Sequence, residues 1–286
     1  MKHTLIVTIL LVAMFLGSQI IGLFITKHYL PEQKGEPPKE LPFDIERPQI
    51  EEKTSYLPIF ISILLATLIA FALIKFKAYK LWKLWFFLAI SFTLIIALSS
   101  FIPQIIALII SVVVALLLIF KPNVIIQNLV QLFIYGGLAA IFVPILNIIS
   151  ISILLVLISI YDVIAVWKTK HMVSLAKFQT KSKLFAGLSI PYEPKTSKIG
   201  KIGNKKYKLE KGSIAILGGG DIGFPLLFSG VILKTYNMQY ALITTLFITL
   251  SLFALFLISK KGKFYPGMPF LSAGCFLGYL FILLIK

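Results

Sequence analysis

Nine long apolar stretches constrain this chain more than any other feature of its sequence. A bilayer core requires roughly 20 apolar residues per helix, and each stretch comes close to that length. Hydrophobic residues make up 58% of the 286, whereas soluble domains contain roughly 45–50%. The sequence therefore predicts an all-α polytopic membrane protein and excludes a water-soluble enzyme. The nine predicted transmembrane helices span residues 4–26, 56–74, 84–101, 104–120, 124–143, 145–167, 213–233, 239–259 and 266–285.

The first of these stretches also resembles a secretory signal, because Lys2 precedes it and the small residues Gly17 and Ser18 lie within it. Its apolar run covers about 23 residues, which exceeds the apolar core of a typical signal peptide. We therefore expect an uncleaved first helix. Two joins between predicted helices are very short, one around Pro103 and the other around Pro144.

The net charge of +17 could indicate a nucleic-acid partner, but the positions of the charges argue against one. With the N-terminus in the cytoplasm, 21 of the 28 basic residues fall on the cytoplasmic face and 7 on the opposite face. This threefold bias is typical of the positive-inside distribution in membrane proteins. The sequence thus predicts a multi-pass protein of the lipid bilayer with a cytoplasmic N-terminus and an external C-terminus.

Two connections differ from the other, shorter loops. Residues 27–55 carry seven acids and five prolines, which indicates an extended external loop. Residues 168–212 carry twelve lysines and two acids, Glu193 and Glu210, which indicates a cytoplasmic loop. This lysine-rich loop divides the chain into helices 1–6, within residues 1–167, and helices 7–9, within residues 213–286. No internal repeat is visible.

Cysteine and histidine provide no sign of a metal or cofactor site. Cys275 is the single cysteine, so the chain can form no internal disulfide. The three histidines, His3, His28 and His171, are far apart, and none lies mid-membrane. We expect a protein without a metal or cofactor. Nothing in the sequence specifies an accessory subunit or an oligomeric state.

Asp162 and Asp221 are the only acidic residues inside the predicted helices, since the other nine lie in the two long loops. An ionisable group in the hydrocarbon costs about 2.5–3.5 kcal/mol on insertion scales, so two such groups indicate a function. Asp162 lies six residues before Lys168, and Asp221 lies ten residues after Lys211. At 1.5 Å per residue, the two acids lie roughly 9 and 15 Å below the cytoplasmic surface. Helices 6 and 7 are antiparallel neighbours, so the carboxyls can face each other.

Two adjacent carboxyl groups in a low dielectric share one proton, because both cannot ionise together. The ionised group can accept a proton from water, while the protonated group polarises a peptide carbonyl and protonates the leaving nitrogen. The same pair could instead relay protons in a secondary transporter, which is the commoner use of intramembrane carboxylates. Position alone leaves both alternatives open, although the absence of repeats disfavours the transporter.

The residues around the two acids form recognisable motifs. The chain reads Tyr161-Asp162 in helix 6 and Gly218-Gly219-Gly220-Asp221 in helix 7, and Pro269-Phe270-Leu271 begins helix 9. These motifs resemble, in order and position, the YD, GxGD and PAL signature of the presenilin/signal-peptide-peptidase family. The members of this family are the GxGD intramembrane aspartyl proteases. The resemblance covers all nine predicted helices.

The resemblance implies catalytic roles for Asp162 and Asp221. It implies active-site or substrate-shaping roles for Tyr161, Gly218, Gly220, Pro269, Phe270 and Leu271. Phe270 departs from the family pattern, since it replaces the small alanine of PAL, and this affects the fit of the substrate. The three glycines weaken the helix, and a strand-like edge beside the acids could hold an unwound substrate by main-chain pairing.

The expected function is intramembrane proteolysis of single-span membrane proteins or peptides. The predicted orientation resembles that of presenilin, whereas signal peptide peptidase is placed the other way round. By analogy, the substrates would cross the membrane with their N-terminus outside. A prepilin-peptidase-like enzyme, which also uses a GxGD aspartate, is a further alternative. The late Pro-Phe-Leu element argues against it.

Overall fold

The computed structural model describes residues 5–32, 36–168, 178, 184–192, 213–259 and 265–286. Within these ranges the chain forms nine long α-helices, which confirms the predicted nine-helix architecture. Seven of the helical segments are long and apolar enough to cross a membrane, and α4 and α7 are 17 residues each. The helices are α1 (Leu5–Tyr29), α2 (Tyr56–Lys75), α3 (Tyr79–Ser99), α4 (Gln104–Phe120), α5 (Val124–Phe142), α6 (Ile148–Val163), α7 (Gly219–Thr235), α8 (Met238–Ile258) and α9 (Met268–Ile285).

Several helix boundaries follow from local capping. The side chains of Asn123, Asn147 and Asn237 accept hydrogen bonds from backbone amides in the first turns of α5, α6 and α8. Such caps satisfy amide groups that a helix start leaves unpaired. Pro103 directly precedes α4. The short join predicted around Pro144 is a single 3₁₀ turn, Val143–Ile145, so α6 begins at Ile148 rather than at residue 145.

Helices α1 and α5 form the centre of the bundle. The α5 span is the most enclosed, with 61% of its residues buried, while only 11% of the α2 span is buried. Helix α1 packs against α5, α7 and α8, and α9 packs against α6, α7 and α8. The elements that carry Asp162 and Asp221 are therefore held from several sides, whereas α2 lies at the periphery.

Glycine permits the closest helix contacts in this bundle. A Cβ atom added at Gly137 of α5 would overlap the backbone carbonyl oxygen of Thr93 in α3. A Cβ at Gly22 of α1 would overlap the side chain of Leu226 in α7. Helices inside a membrane associate through such small-residue contacts, because lipid provides little hydrophobic driving force between them.

The seventh helix begins at Gly219 and not, as the sequence predicted, at residue 213. Residues 213–218 form strand β2 (Ser213–Gly218), which pairs antiparallel with β1 (Gly187–Tyr192) from Gly187–Gly218 to Tyr192–Ser213. The prediction was wrong because hydropathy does not distinguish a strand from a helix. Ile214 and Ile216 are exposed while Ala215 and Leu217 are buried, and this alternation is typical of a strand. Most of the predicted lysine-rich loop lies outside the described residues, and β1 belongs to the described stretch 184–192.

A network centred on Lys234 joins three connections at the end of the bundle away from β2. The Lys234 ammonium lies 2.9 Å from the Glu52 carboxylate and donates to the carbonyl oxygens of Pro144 and Leu146 at 2.7 and 3.1 Å. The Ser150 hydroxyl donates to the Glu52 carbonyl oxygen. The first long loop, the α5–α6 join and the end of α7 thus share one face, and the lysine count assigned all three to one side.

We predict opposite stability effects for two glycine substitutions. Gly137→Ala should lower the free energy of unfolding by about 1–3 kcal/mol, because the new methyl group has no room beside Thr93. Gly17→Ala should leave stability unchanged or raise it by up to about 1 kcal/mol, because nothing lies within 4 Å of the added atom and alanine favours helix. Thermal unfolding in detergent measures both. Equal melting temperatures for the two variants would contradict the assigned α3–α5 contact.

Candidate active site

Asp162 lies near the end of α6 with only 6% of its surface exposed. The backbone amide of Met268, the first residue of α9, donates a 3.0 Å hydrogen bond to its Oδ2 atom. The π-helical stretch Ile164–Lys168 follows directly after α6. π-Helical turns are rare and occur often at functional sites.

Asp221 lies in the first turn of α7, directly after the three glycines. Its carboxylate rests against Gly267, since a Cβ atom added there would lie 2.7 Å from Oδ1 and 3.1 Å from Oδ2. On another side it rests near Gly218, where an added Cβ would lie 3.3 Å from Oδ2. Two bare glycine backbones therefore provide the space that this carboxylate occupies.

The two acids meet at a single peptide unit. Asp221 packs on Gly267, and Asp162 accepts a hydrogen bond from the next amide, that of Met268. The structure thus brings together the two acids that the sequence singled out, and the chain entering α9 lies against both.

Tyr161 points towards α2. Its hydroxyl donates a 3.3 Å hydrogen bond to Thr67 Oγ1. The residue therefore ties the end of α6 to the most peripheral helix. The supporting role beside Asp162 that the sequence predicted for Tyr161 stays a prediction.

The three glycines before Asp221 have different surroundings. A Cβ at Gly219 would lie 2.7 Å from the Tyr135 hydroxyl and 3.2 Å from the Ala186 carbonyl oxygen. A Cβ at Gly220 would make only ordinary contact, 3.5 Å from the Phe224 ring. The tightest position is thus the middle glycine, which the GxGD pattern leaves unspecified.

The Pro-Phe-Leu element forms the start of α9. Pro269 lies in the first turn, Phe270 is half-buried, and Leu271 is fully buried and donates its amide to the Gly267 carbonyl oxygen at 3.1 Å. Of this region, the Gly267–Met268 peptide is the part that touches the acids, and the sequence analysis did not select it as a site. The prolines at positions 266 and 269, which enclose these two residues, were the available signal.

Sequence reasoning also missed a row of polar side chains on α5. The amide of Gln127 donates to the Phe185 carbonyl oxygen at 2.8 Å, and Asn128 forms two hydrogen bonds of 2.7 and 3.0 Å with the backbone of Ser189. The Tyr135 hydroxyl donates to Gln131 Oε1 at 2.6 Å. Gln127, Gln131 and Tyr135 recur every four residues, so they share one helix face. That spacing inside an apolar stretch was a readable signal.

The described residues assemble no group of three or more histidine, cysteine, aspartate or glutamate side chains that could hold a metal ion. What they do assemble is an isolated pair of carboxyls beside a two-stranded sheet.

Comparison with known proteins identifies the family. A family model described as signal-peptide peptidase, presenilin aspartyl protease matches residues 40–286. The chain belongs to this family. As a member of the presenilin and signal-peptide-peptidase family, it is a multi-pass membrane protein of the aspartyl protease class, as the sequence motifs predicted. No curated protein matches it.

Solved structures of presenilin-family intramembrane aspartate proteases share the fold. One, in a C222 crystal form, superposes with a TM-score of 0.64 at 20% identity and covers 98% of this chain and 99% of its own. Another, in a P2 form, gives a TM-score of 0.62 at 22% identity and covers 96% and 97%. The nine-helix arrangement of this chain is therefore that of a presenilin-family protein over nearly its full length.

Gly267→Ala tests the contact between α9 and Asp221. The added methyl group would displace the carboxylate, and misplacement of a reacting group by about 1 Å can reduce a rate about a hundredfold. We expect kcat for cleavage of a membrane-spanning peptide to fall by at least about tenfold, with little change in the melting temperature.

Gly274→Ala is the matched control on the same helix. A Cβ at Gly274 would lie 2.9 Å from the Ile248 Cα atom in α8, a backbone clash that is remote from the acids. This variant should lose stability but keep the kcat of the molecules that remain folded. A Gly267→Ala protein with unchanged kcat would show that the carboxylate does not depend on this glycine.

Proposed function

We propose that this protein is a GxGD-type intramembrane aspartyl endopeptidase that uses an Asp162/Asp221 dyad and water. The observation that carries the proposal is the meeting of both carboxyls at the Gly267–Met268 peptide. Acids buried in a membrane protein are costly, and here two of them share one site. Membership of an aspartyl protease family supplies the reaction class.

The dyad geometry supports general acid–base hydrolysis. The ionised carboxyl takes a proton from a water molecule as the water oxygen attacks the carbonyl carbon of the scissile peptide. The protonated carboxyl polarises the carbonyl oxygen and later delivers a proton to the leaving nitrogen. The carbon–nitrogen bond breaks, and the products are a carboxylic acid and an amine.

The two-stranded sheet supports a way to hold the substrate. A peptide bond inside a helix is shielded, so a transmembrane substrate must unwind before hydrolysis. Strand β2 ends at Gly218, three residues before Asp221. A substrate segment that adds to an edge of this sheet would be held extended by main-chain hydrogen bonds. It would run towards the dyad.

Helix α5 fixes the position of that sheet. Asn128 pairs with both backbone groups of Ser189 in β1, and Gln127 binds the carbonyl oxygen of Phe185 just before the strand. These bonds attach the sheet to the most enclosed helix of the bundle. The site therefore combines a rigid support with an edge that accepts a variable sequence.

The substrates of this enzyme are transmembrane segments of membrane proteins, reached through the lipid bilayer. Lysine distribution supports a cytoplasmic N-terminus, an external C-terminus and a cytoplasmic 168–212 connection. In that orientation the dyad lies nearer the cytoplasmic surface. Single-span substrates would cross with their N-terminus outside, as the resemblance to presenilin implies.

The central prediction is that Asp162→Asn and Asp221→Asn each abolish cleavage. Asparagine keeps the size of the side chain but cannot take or give the required proton, so kcat should fall below detection in each variant. The measurement is incubation of the purified protein in liposomes with a tagged single-span helix, followed by mass spectrometry of the products. Cuts should lie within the span.

The control for folding is the melting temperature, which should not fall in either variant, because asparagine is uncharged and has nearly the same volume as aspartate. Intact substrate across several helix sequences and pH values would contradict the protease. Uptake driven by a pH gradient in the same liposomes would then support the alternative, a proton-coupled transporter.

Asn128→Leu tests the proposed role of the sheet. The substitution removes both hydrogen bonds to Ser189, so β1 loses its attachment to α5. We expect KM to rise about fivefold to thirtyfold, which corresponds to about 1–2 kcal/mol of binding free energy, with a smaller change in kcat. Asn123→Ala is the matched control, because the Asn123 side chain caps the same helix by accepting a hydrogen bond from the Ile125 amide. Equal KM values for the two variants would contradict the proposed role of β1.

A further inference from the structure

The chain segment that carries Asp221 has little means of fixing its own position. Four of the six residues from 218 to 223 are glycine, and glycine is the residue with the greatest backbone freedom. Pro225 lies one turn later in α7. It has no amide hydrogen, so the helical hydrogen bond to the carbonyl oxygen of Asp221 cannot form. The first turn of α7 is therefore weakly held by its own sequence.

Gln19 of α1 supplies a contact to this turn from outside. Its side chain is fully buried, and its Nε2 donates a 2.9 Å hydrogen bond to the carbonyl oxygen of Ile222, the residue after Asp221. One turn further along both helices, Gly22 allows α1 to approach Leu226 closely. Gln19 and Gly22 lie three apart and so share a helix face. This face of α1 thus holds α7 next to the acid.

Tyr135 of α5 contacts the same turn at other positions. Added Cβ atoms at Gly219 and Gly223 would lie 3.3 and 3.6 Å from its ring carbons. The amide of Gly219 also donates to the Ala186 carbonyl oxygen at 3.0 Å. The turn is therefore supported by α5 and by the chain before β1. Gln19 is the side chain that binds its backbone carbonyl directly after the acid.

Gln19 is not the residue that packing alone would favour at its position. The Oε1 atom has no hydrogen-bond partner among the residues that the structure describes, and an unpaired buried polar atom costs free energy. An apolar side chain of similar size would avoid that cost. What a glutamine provides at this position is the hydrogen bond to the Ile222 carbonyl oxygen.

We propose that Gln19 is a positioning residue for catalysis, which holds the Asp221 carboxyl in register with Asp162 through the Ile222 carbonyl oxygen. This inference rests on the proposed function of the dyad. It assigns to the first transmembrane helix, which precedes the region matched by the family model, a direct effect on the reaction.

The test compares Gln19→Leu with Tyr29→Phe. Both residues lie on α1, and each donates a buried hydrogen bond to a backbone carbonyl of another helix; that of Tyr29 goes to Ile96 at 2.7 Å. Gln19→Leu should lower the melting temperature no more than Tyr29→Phe does, because it also removes the unpaired Oε1 atom. Gln19→Leu should lower kcat about tenfold to a hundredfold with little change in KM. The reason is that the Asp221 carboxyl loses its position relative to Asp162, and misplacing a reacting group by about 1 Å can cost about a hundredfold in rate. Tyr29→Phe should keep both constants.

A second measurement does not depend on proteolysis. The variant combines Asp162→Cys and Asp221→Cys with Cys275→Ala, which removes the single native cysteine. The measurement is the yield of the disulfide that forms between positions 162 and 221 when membranes are oxidised. Adding Gln19→Leu should reduce that yield, and adding Tyr29→Phe should not. The cross-link thus reports the mutual position of the two sites whether or not a substrate is cut.

The two measurements separate the possible failures. If the unchanged protein cuts no substrate, the proposed function fails, and the cross-link alone decides whether Gln19 positions Asp221. If Gln19→Leu keeps both the kcat and the cross-link yield of the unchanged protein, the proposal is overturned. A loss of kcat that Tyr29→Phe reproduces would also overturn it, since the effect would then be general destabilisation.

Discussion

The contact of the Gly267–Met268 peptide with both acids is the interaction on which the rest of the site depends. It joins residues of α6, α7 and the start of α9, three elements far apart in the sequence. A carboxyl inside an apolar bundle needs a hydrogen-bond donor, and its neighbours must also leave room for it. The amide of Met268 supplies the donor to Asp162, and the bare Gly267 supplies the space for Asp221. Helix α9 therefore completes the dyad without adding a charge to it.

The sequence predicted the nine helices and the acid pair for the same physical reason. Apolar length is a strong signal in a membrane protein, and against that background two isolated carboxyls are conspicuous. Strand β2 was missed because Ile214–Leu217 is as apolar as a helix, and only its alternate burial shows the difference. Only the two enclosing prolines pointed to Gly267, and nothing pointed to Gln19, because their contacts are with residues 46 positions or more away in the chain.

Polar side chains inside the bundle have a common purpose. Gln19, Gln127 and Asn128 all bind backbone groups of the segments around Asp221 and β1. Hydrogen bonds between membrane helices contribute only modest stability, so stability alone is a weak reason to bury three amides. Gln127 and Asn128 bind where the backbone is not helical, and Gln19 binds in the first turn of α7, ahead of Pro225. In an apolar environment, unpaired backbone groups at such places would be costly, and side-chain amides can both donate to and accept from them.

The glycines loosen the backbone around Asp221, and the side-chain amides hold that backbone in place. The site requires both effects. Residues 218 and 219 must be slender, because Tyr135, Ala186 and the Asp221 carboxylate lie where their side chains would otherwise project. Slender residues leave the backbone loose, and a loose backbone cannot hold a carboxyl to within the fraction of an ångström that hydrolysis needs. The rigidity must therefore come from neighbouring helices. Under the proposed function, this turn must be bare enough to admit an unwound substrate, and its geometry must for that reason be set by residues outside its motif.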